Sequence, residues 1–427
     1  MKAAFHTLGC KVNQYDTEAM LESFERAGYE TVPFSEDADV YLVNTCTVTG
    51  TGDQKSMKLI RRIAREHPAS GIIAAGCLAQ RDAETLLGMD NVRLVIGVQR
   101  RSEVVALYEQ ALATGEKINA VSPLKGASFE QLFVTRHEGK TRATMKIQEG
   151  CDRYCAYCII PSVRGPVRSM PMDAVRQEAR RLRDAGYREI VVTGIHLASY
   201  GRGTNAALID AVEAVHETGT RVRIGSVEPV IVTEEFARRL SLLPNLMRQF
   251  HLSLQSGSAG VLKRMRRRYT PEEYLRALET LRRHMPDSAI TTDVLTGFPG
   301  ETEEEAAETY AFVKKAAFAR IHVFPYSRRK GTVADEMEHQ VPEEIKHRRA
   351  LELIELGNQL ERDFVKATEG TVQTVLFETS DGETAEGYTQ HYVRVRAKAA
   401  PGSIVPVRIT GVEGNLALGE QYRPDGR

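Results

Sequence analysis

The chain has 427 residues, of which 42% are hydrophobic and 27% are charged. These proportions are typical of a soluble globular protein of roughly two to four domains, and they exclude a disordered chain, a collagen-like repeat and a small disulfide scaffold. Lys plus Arg and Asp plus Glu both number 57, so the formal net charge is zero and the chain as a whole is not a polycation.

The hydropathy of the chain and its N-terminal residues predict the cellular compartment of the protein. No apolar run approaches the ~20 residues that span a bilayer, and the N-terminal residues lack the apolar core of a signal peptide. We therefore expect a cytoplasmic protein with no membrane partner. In a reducing compartment, the six cysteines are expected to serve metal binding or catalysis rather than disulfides.

Residues 1–124 alternate short apolar runs with amphipathic segments, which predicts a parallel, doubly wound sheet. The expected strands are 3–8, 40–43, 71–75 and 93–96, and the amphipathic segments include 17–27 and 56–66. Cys10, Cys46 and Cys77 each lie just past the carboxyl end of a predicted strand. That edge is where open α/β sheets bind their ligands.

A second alternating series occupies residues 137–367, after a less ordered linker at 120–139. The predicted strands are 144–148, 189–193, 222–227, 250–254, 290–295 and 321–324, and the helices between them include 172–185, 271–284 and 303–316. Thr270-Pro271 and the capping-box pattern from Thr302 to Glu305 are typical helix starts. Six such units predict a partial β/α barrel that is open at one side, since eight units form the complete barrel.

The remaining residues begin with a long helix predicted at 342–368. Residues 368–427 then alternate β-branched and polar residues between glycines, which predicts a small antiparallel β-barrel or sandwich. Net charge differs along the chain: −3 over 1–124, +5 over 125–367 and −2 over 368–427. The middle part carries basic clusters, at 263–268, 328–330 and 346–349, which are either solvated surface or a phosphate-binding face.

Cys151, Cys155 and Cys158 form a Cys-x3-Cys-x2-Cys pattern directly after the first predicted barrel strand. Three thiolates in one loop can hold three irons of a [4Fe–4S] cluster and leave the fourth iron open, because such a cluster normally takes four cysteines. The alternative is a structural zinc site, which requires a fourth ligand such as His137 or His196.

The segment 150–158 resembles the signature of the radical S-adenosylmethionine enzymes in its cysteine spacing, its aromatic residue before the third cysteine and its barrel context. The resemblance implies that the open iron binds S-adenosylmethionine, whose reductive cleavage yields a 5′-deoxyadenosyl radical. The electron would come from a donor such as flavodoxin or ferredoxin. In that family, residues at the strand ends contact S-adenosylmethionine. The matching residues here are Thr193, Gly194, His196, Glu228 and Gln255. The alternative role for each is a hydrogen bond at the barrel rim.

The segments around Cys10, Cys46 and Cys77 resemble the N-terminal domain of the methylthiotransferases, a branch of the same family that inserts a methylthio group into an unactivated C–H bond. The likeness extends over essentially the whole chain, with further motifs at 193–197, 252–258, 297–302 and 324–327. It implies that these three cysteines hold a second [4Fe–4S] cluster, whose open iron carries the donated sulfur. Taken singly, each is an ordinary buried cysteine.

The likeness also implies that residues 368–427 form a TRAM-like RNA-binding barrel. Four of its side chains are candidates for RNA contacts or, equally, for packing in the barrel: Tyr388, Tyr392, Arg394 and Arg396. The basic clusters of the middle part would then bind phosphates without reading sequence, and specificity would come from a splayed base of the anticodon loop.

Within that branch, segments 9–13 and 44–49 look most like the enzymes that act on N6-threonylcarbamoyladenosine beside the tRNA anticodon. This implies that one S-adenosylmethionine methylates the sulfur, that a second yields the radical, and that the methylthio group joins C2 of the adenine. No catalytic side chain is identified. Methylthiolation of isopentenyladenosine in tRNA or of a ribosomal-protein aspartate remains an alternative, as does a non-catalytic metal-containing RNA-binding protein.

Overall fold

The computed structural model describes residues 1–134 and 141–423. In the first of these ranges the strands are β1 (Lys2–Thr7), β2 (Glu30–Thr31), β3 (Val40–Thr45), β4 (Gly71–Gly76), β5 (Val92–Ile96) and β6 (Ile118–Asn119). The helices are α1 (Lys11–Arg26), α2 (Gly50–Glu66), α3 (Cys77–Arg81), α4 (Ala83–Leu87) and α5 (Val104–Thr114).

These strands form one parallel sheet in the order β2-β1-β3-β4-β5-β6, which confirms the predicted parallel sheet. Successive side chains of a strand point to opposite faces. Ala3 accordingly lies in a core formed with α1 and α5, and Ala4 in a separate core formed with α2, α3 and α4. The strand order changes direction between β1 and β3, and the carboxyl ends of strands at such a switch point are the usual place for a ligand.

The middle of the chain contains a second set of alternating elements. Its strands are β7 (Arg142–Glu149), β8 (Arg168–Ser169), β9 (Glu189–Gly194), β10 (Arg221–Ile224), β11 (Gln249–His251), β12 (Ala289–Thr296) and β13 (Arg320–Pro325). Its helices are α6 (Ile160–Arg164), α7 (Met172–Asp184), α8 (Leu208–His216), α9 (Glu234–Ser241), α10 (Ala259–Arg264), α11 (Pro271–His284), α12 (Glu303–Ala316) and α13 (Glu343–Lys366).

The middle strands run parallel, apart from the short β8 at the edge beside β7. One sheet has the order β10-β9-β7-β8 and the other has the order β11-β12-β13. Parallel bridges from Val222 to Leu246 and from Val227 to Leu252 join β10 to the residues that flank β11. The six predicted strands are therefore present, and their outer faces share one core with the helices, including Leu182 and Leu278.

Helices α11 and α12 begin and end at the predicted residues because their N-terminal signals are local. Thr270 Oγ1 accepts a hydrogen bond from Glu273 N at 3.3 Å, and Glu273 accepts one in return from Thr270 N at 2.8 Å. Thr302 and Glu305 form the same reciprocal pair at the start of α12. Among the helices of the described residues, none is both long and apolar enough to cross a membrane.

The C-terminal strands are β14 (Val372–Ser380), β15 (Ala385–Thr389), β16 (Arg394–Ala397), β17 (Ile404–Glu413) and β18 (Leu416–Gln421). They close in the order β14-β15-β16-β18-β17. A wholly antiparallel barrel was expected, but β16 and β18 run parallel. The reason is geometric, since a closed ring of five strands cannot alternate direction at every contact. Arg142 at the amino end of β7 contacts Glu378 of β14 at 2.6 Å, so this barrel lies opposite the carboxyl ends of the middle strands.

Candidate active site

The loop that carries Cys151, Cys155 and Cys158 follows the carboxyl end of β7. Gly150 begins the loop with φ +74°, and a Cβ added there would lie 1.9 Å from Pro166 O, so only glycine fits this turn. Backbone hydrogen bonds then anchor the loop, from Cys151 N to Gly165 O at 3.0 Å and from Cys158 N to Cys155 O at 2.9 Å. All three thiols are thereby held at one end of the sheet.

The surroundings of these thiols disfavour the free thiolate form. A metal would therefore bind them by displacing their protons. Burial, with a smaller contribution from the neighbouring thiols, raises the pKa of Cys151 to about 11 and that of Cys158 to about 12. Arg267 Nη1 donates a hydrogen bond to Cys155 Sγ at 3.3 Å and supplies a positive charge. Three sulfur donors beside a guanidinium fit the thiolate ligation of an iron–sulfur cluster. Within residues 1–134 and 141–423, no three His, Cys, Asp or Glu side chains converge as ligands of a single metal ion.

Glu228, after β10, is the centre of a charged group beside this loop. Its carboxylate contacts Arg153 Nε at 2.9 Å, His196 Nε2 at 3.0 Å and Arg267 Nη2 at 3.0 Å. Burial alone would raise the pKa of Glu228, but the hydrogen bond from His196 and the charges of Arg267 and Arg153 lower it to about 2. The carboxylate is therefore ionised throughout the physiological range.

The predicted S-adenosylmethionine residues are distributed over three strand ends. His196 and Glu228 are in direct contact, and His196 N also donates to Gln148 Oε1 at 2.5 Å. Thr193 is buried and Gly194 is half-buried at the end of β9. Gln255 has φ +71°, and its backbone forms a bridge with β12. Their contact with a cofactor stays a prediction.

The two alternative zinc ligands are His137 and His196. His137 lies outside the described residues. Both ring nitrogens of His196 are engaged, because Nδ1 is 2.6 Å from Ser199 Oγ and Nε2 contacts Glu228. The ring of His196 is therefore not directed at the thiols.

Cys10, Cys46 and Cys77 meet at the switch point of the N-terminal sheet. Cys10 precedes α1, Cys46 follows β3, and Cys77 is the first residue of α3. Gly9, at φ +106°, lies so close that an added Cβ would be 2.9 Å from Cys46 Sγ. Burial raises the pKa of Cys77 to about 11; the nearby thiols Cys10 and Cys46 contribute to this rise, and Arg164 opposes it. Their role as cluster ligands stays a prediction.

Arg164 joins the two cysteine loops. It ends α6, which begins two residues after Cys158, and its side chain is fully buried. Arg164 Nε donates to Cys77 Sγ at 3.2 Å, while Nη2 donates to Asn13 Oδ1 of α1. Nη1 donates to both oxygens of Glu149 at 2.9 and 3.0 Å. The same side chain therefore contacts the N-terminal sheet region and the middle sheet.

A buried charge network surrounds this arginine. Lys146 Nζ of β7 is 2.5 Å from Asp16 Oδ1 of α1, and Arg101 contacts both Asp16 and Glu149. All four of these side chains are at most 2% exposed. Burial alone would raise the pKa of Glu149, but Arg164, Lys146 and Arg101 together hold it well below its usual range. Sequence reasoning missed these residues, since each charge taken alone is ordinary.

The basic clusters are only partly available to a ligand. Arg267 is directed at Cys155, Arg329 is buried against Asp53 at 2.6 Å, and Arg349 is buried against Glu301 at 2.8 Å. Lys346 is also buried, beside Glu343. The exposed members of these clusters, which remain candidates for phosphate contacts, are Lys263, Arg266, Arg268, Arg328, Lys330, His347 and Arg348.

The tyrosines considered for RNA contacts are packed within the protein. The rings of Tyr388 and Tyr392 stack with centroids 4.5 Å apart, and Arg142 lies 5.1 Å from one centroid and 5.2 Å from the other. Arg394 and Arg396 both pair with Glu386. These contacts favour packing over RNA stacking for the two tyrosines, whereas Arg394 and Arg396 are 51% and 41% exposed.

Comparison with known proteins places the chain in a family. Residues 145–313 match the Radical SAM superfamily, and residues 2–97 match the Uncharacterized protein family UPF0004. A threonylcarbamoyladenosine tRNA methylthiotransferase of Bacillus subtilis is 43% identical, with 95% of this chain and 93% of that protein covered. A tRNA-2-methylthio-N(6)-dimethylallyladenosine synthase of Oceanobacillus iheyensis is 34% identical, with 96% and 82% covered.

The fold agrees with this relationship. The radical S-adenosylmethionine methyltransferase TsrM from Kitasatospora setae superposes with a TM-score of 0.56 at 13% identity, covering 89% of this chain and 79% of that one. The superfamily implies an iron–sulfur cluster and S-adenosylmethionine as cofactors. The identity to the Bacillus subtilis protein over nearly the full length of both chains establishes that this chain belongs to the tRNA methylthiotransferases, enzymes of the radical S-adenosylmethionine superfamily.

Proposed function

We propose that this enzyme methylthiolates C2 of N6-threonylcarbamoyladenosine next to the tRNA anticodon, with two [4Fe–4S] clusters and two S-adenosylmethionine molecules. The proposed substrate is that of the relative named threonylcarbamoyladenosine tRNA methylthiotransferase. This relative is 43% identical to the chain, against 34% for the relative named for dimethylallyladenosine. The observation that carries the two-cluster part is the presence of two separate cysteine triads on either side of Arg164. The proposed reaction belongs in the cytoplasm, where tRNA is found.

Each triad has its own assignment in this proposal. Cys151, Cys155 and Cys158 hold the cluster that binds S-adenosylmethionine. Cys10, Cys46 and Cys77 hold the second cluster, which carries the donated sulfur. When bound, the clusters and S-adenosylmethionine supply the sulfur, the methyl group and the radical. An electron donor such as flavodoxin or ferredoxin completes the system.

The residues around Glu228 position S-adenosylmethionine. Glu228 is an ionised carboxylate, so it can accept hydrogen bonds from the ammonium or hydroxyl groups of that molecule. Arg153, from the cysteine loop itself, offers donors to a carboxylate. Thr193, Gly194, His196 and Gln255 complete the proposed contacts.

The proposed domains are 1–124 for the second cluster, 137–367 for a partial β/α barrel of six units, and 368–427 for a TRAM-like RNA-binding barrel. The parallel strand series from β7 to β13 supports the partial barrel, and the closed five-stranded ring supports the last domain. The start of the second domain, at residue 137, falls outside the described residues.

Iron analysis tests the two-cluster assignment. After anaerobic reconstitution, the wild-type protein is expected to hold about eight irons per chain, because each [4Fe–4S] cluster contributes four. Replacing either triad by alanines should leave about four irons. Only the variant that keeps Cys151, Cys155 and Cys158 should still form 5′-deoxyadenosine. About four irons in the wild type would contradict the second cluster.

Nucleoside mass spectrometry tests the substrate. A strain that lacks this protein and any paralogue should lose methylthio-threonylcarbamoyladenosine from its tRNA. The wild-type gene should restore it, whereas a Cys77→Ala gene should not. Persistence of that nucleoside in the deletion strain, or loss of methylthio-isopentenyladenosine instead, would overturn the assignment.

A further inference from the structure

One face of β11, β12 and β13 is polar and partly exposed, and β13 is the edge strand of this sheet. The opposite face of β12 and β13 packs Ile290, Val294 and Ile321 into the core. Asp293 and His322 are paired neighbours across β12 and β13, so their side chains share the polar face. The Asp293 side chain is 33% exposed. This carboxylate is therefore accessible to a ligand that reaches the polar face.

A series of polar contacts leads to this carboxylate. Arg223 Nη1 donates to Gln249 Oε1 at 3.3 Å, which orients the amide so that Nε2 donates to Thr291 Oγ1 at 2.9 Å. Thr291 Oγ1 also lies within hydrogen-bond distance of His251 Nδ1, at 3.1 Å.

The other ring nitrogen of His251, Nε2, lies 3.3 Å from Asp293 Oδ2. These contacts hold the Asp293 carboxylate in place while a third of its side chain stays exposed. Such pre-orientation is typical of a binding site.

Strand β13 presents three different side chains in a row on the same face. These side chains belong to Arg320, His322 and Phe324, which alternate with Ile321 and Val323 along the strand. Arg320 is at the amino end and Phe324 is nearest the carboxyl end. The Phe324 ring is 52% exposed, and Arg320 is 49% exposed with a loose 3.7 Å contact to Glu361. Arg320 and Thr291 line a cavity of about 260 Å³ at the amino end of these strands, whose other walls come from α13 and the C-terminal barrel.

We propose that this face binds the modified adenosine, with Phe324 stacking on the base, Asp293 accepting the urea N–H of the N6 substituent, and Arg320 pairing with its threonyl carboxylate. This inference rests on the proposed substrate. From the carboxyl end of β13 towards its amino end, this face presents an aromatic ring, then polar groups, then a cation. The nucleoside presents its base, urea and carboxylate in the same order. Phe324 lies at the same end of the parallel strands as the cysteine loop, so the base would face the clusters.

The face also accounts for selection against dimethylallyladenosine. That nucleoside has an apolar N6 tail with neither urea nor carboxylate. Binding it would bury Asp293 and Arg320 without partners, and a site built around polar partners rejects a ligand that lacks them.

The test uses reconstituted enzyme and an anticodon stem-loop that carries threonylcarbamoyladenosine either as the free acid or as its methyl ester. For the wild type, we expect kcat/KM to be about tenfold or more higher for the acid, which corresponds to about 1.4 kcal/mol. Arg320→Met should lower the value for the acid only, so that acid and ester become nearly equal. Arg283→Met, at an exposed arginine, is the matched control and should keep the wild-type ratio.

Affinity gives a second readout that does not depend on turnover. Fluorescence anisotropy without reductant should show the same loss of acid preference in Arg320→Met, and weaker binding of both ligands in Phe324→Ala and Asp293→Asn. An unchanged acid-to-ester ratio in Arg320→Met would overturn the inference. Failure of the wild type to methylthiolate the acid would instead overturn the proposed function.

Discussion

Arg164 Nε lies 3.2 Å from Cys77 Sγ, although 87 residues separate them in the chain. The short helix α6 begins two residues after Cys158 and ends at Arg164. It therefore connects a proposed ligand of the first cluster to a hydrogen-bond donor for Cys77 of the other triad. The two proposed cluster sites are therefore positioned relative to each other by α6 and by the charges that surround Arg164.

This contact predicts an effect on the electronic properties of the second cluster. Hydrogen bonds to cluster sulfurs help to set the reduction potential, and removing a donor makes reduction harder. Arg164→Lys keeps the charge but removes the Nε donor, so we expect a more negative potential for the second cluster and no change for the first. A redox titration followed by electron paramagnetic resonance measures both. Arg65→Lys, at an exposed site, should alter neither.

Asp16 is predicted to be essential for the contact between the N-terminal and middle sheets. It neutralises Arg101 and Lys146 in a dry environment, and removing one partner of a buried pair typically costs about 3 kcal/mol or more. Asp16→Asn should therefore lower the free energy of unfolding by about that amount in urea denaturation. Asp37→Asn, whose side chain is 96% exposed, should change it by less than about 0.5 kcal/mol.

Glu228 is predicted to contribute to S-adenosylmethionine affinity as an anion. Because the pKa of Glu228 is about 2, its charge should not change between pH 6 and pH 9, and binding should show no step attributable to it. Glu228→Gln should weaken binding about tenfold, measured by equilibrium dialysis with reconstituted protein. Glu234→Gln removes an exposed glutamate with similar partners and should bind normally. Equal affinity of wild type and Glu228→Gln would contradict this role.

Glu178 predicts a dependence of stability on pH. Burial raises its pKa to about 7, in spite of the charge of Arg181 nearby. The folded state therefore holds the proton more tightly than the unfolded state, whose pKa is near the ordinary value of about 4.5. The contribution of Glu178 is most favourable below pH 4.5, falls as the pH rises towards 7, and is constant above that.

The size of this loss can be measured. A difference of about two units or more between the two pKa values corresponds to about 3 kcal/mol between pH 4.5 and pH 8. Glu178→Gln should remove this part of the pH dependence in urea unfolding series, while Glu235→Gln, at an exposed site, should retain it. Parallel curves for wild type and Glu178→Gln would contradict the prediction.

Features that depend on a few consecutive residues could be predicted from the sequence. The capping pairs at Thr270 and Thr302 located α11 and α12, and the alternation of apolar runs located the parallel strands. The Cys-x3-Cys-x2-Cys spacing alone indicated a metal-binding loop, since the three thiols lie within eight consecutive residues. Helix caps and periodic burial act over a turn or two of chain, so they leave a readable pattern.

The tertiary structure decided which charges belong to the site. In the basic clusters, Arg267 faces Cys155 and Arg329 is buried against Asp53, whereas their neighbours stay on the surface. The parallel pair of β16 and β18 followed from ring closure, which no local pattern records.

By itself, the sequence determined the alternation of strands and helices, the two sets of three cysteines and the family. Only the tertiary structure decided that Asp16, Lys146 and Arg164 meet in one buried network, that Cys10, Cys46 and Cys77 are neighbours, and that Phe324 remains exposed. The physical reason is that a charge or an aromatic ring acquires its role from partners brought close by folding. Asp16 and Arg164, for example, are 148 residues apart along the chain, and the residues flanking each one carry no trace of the other.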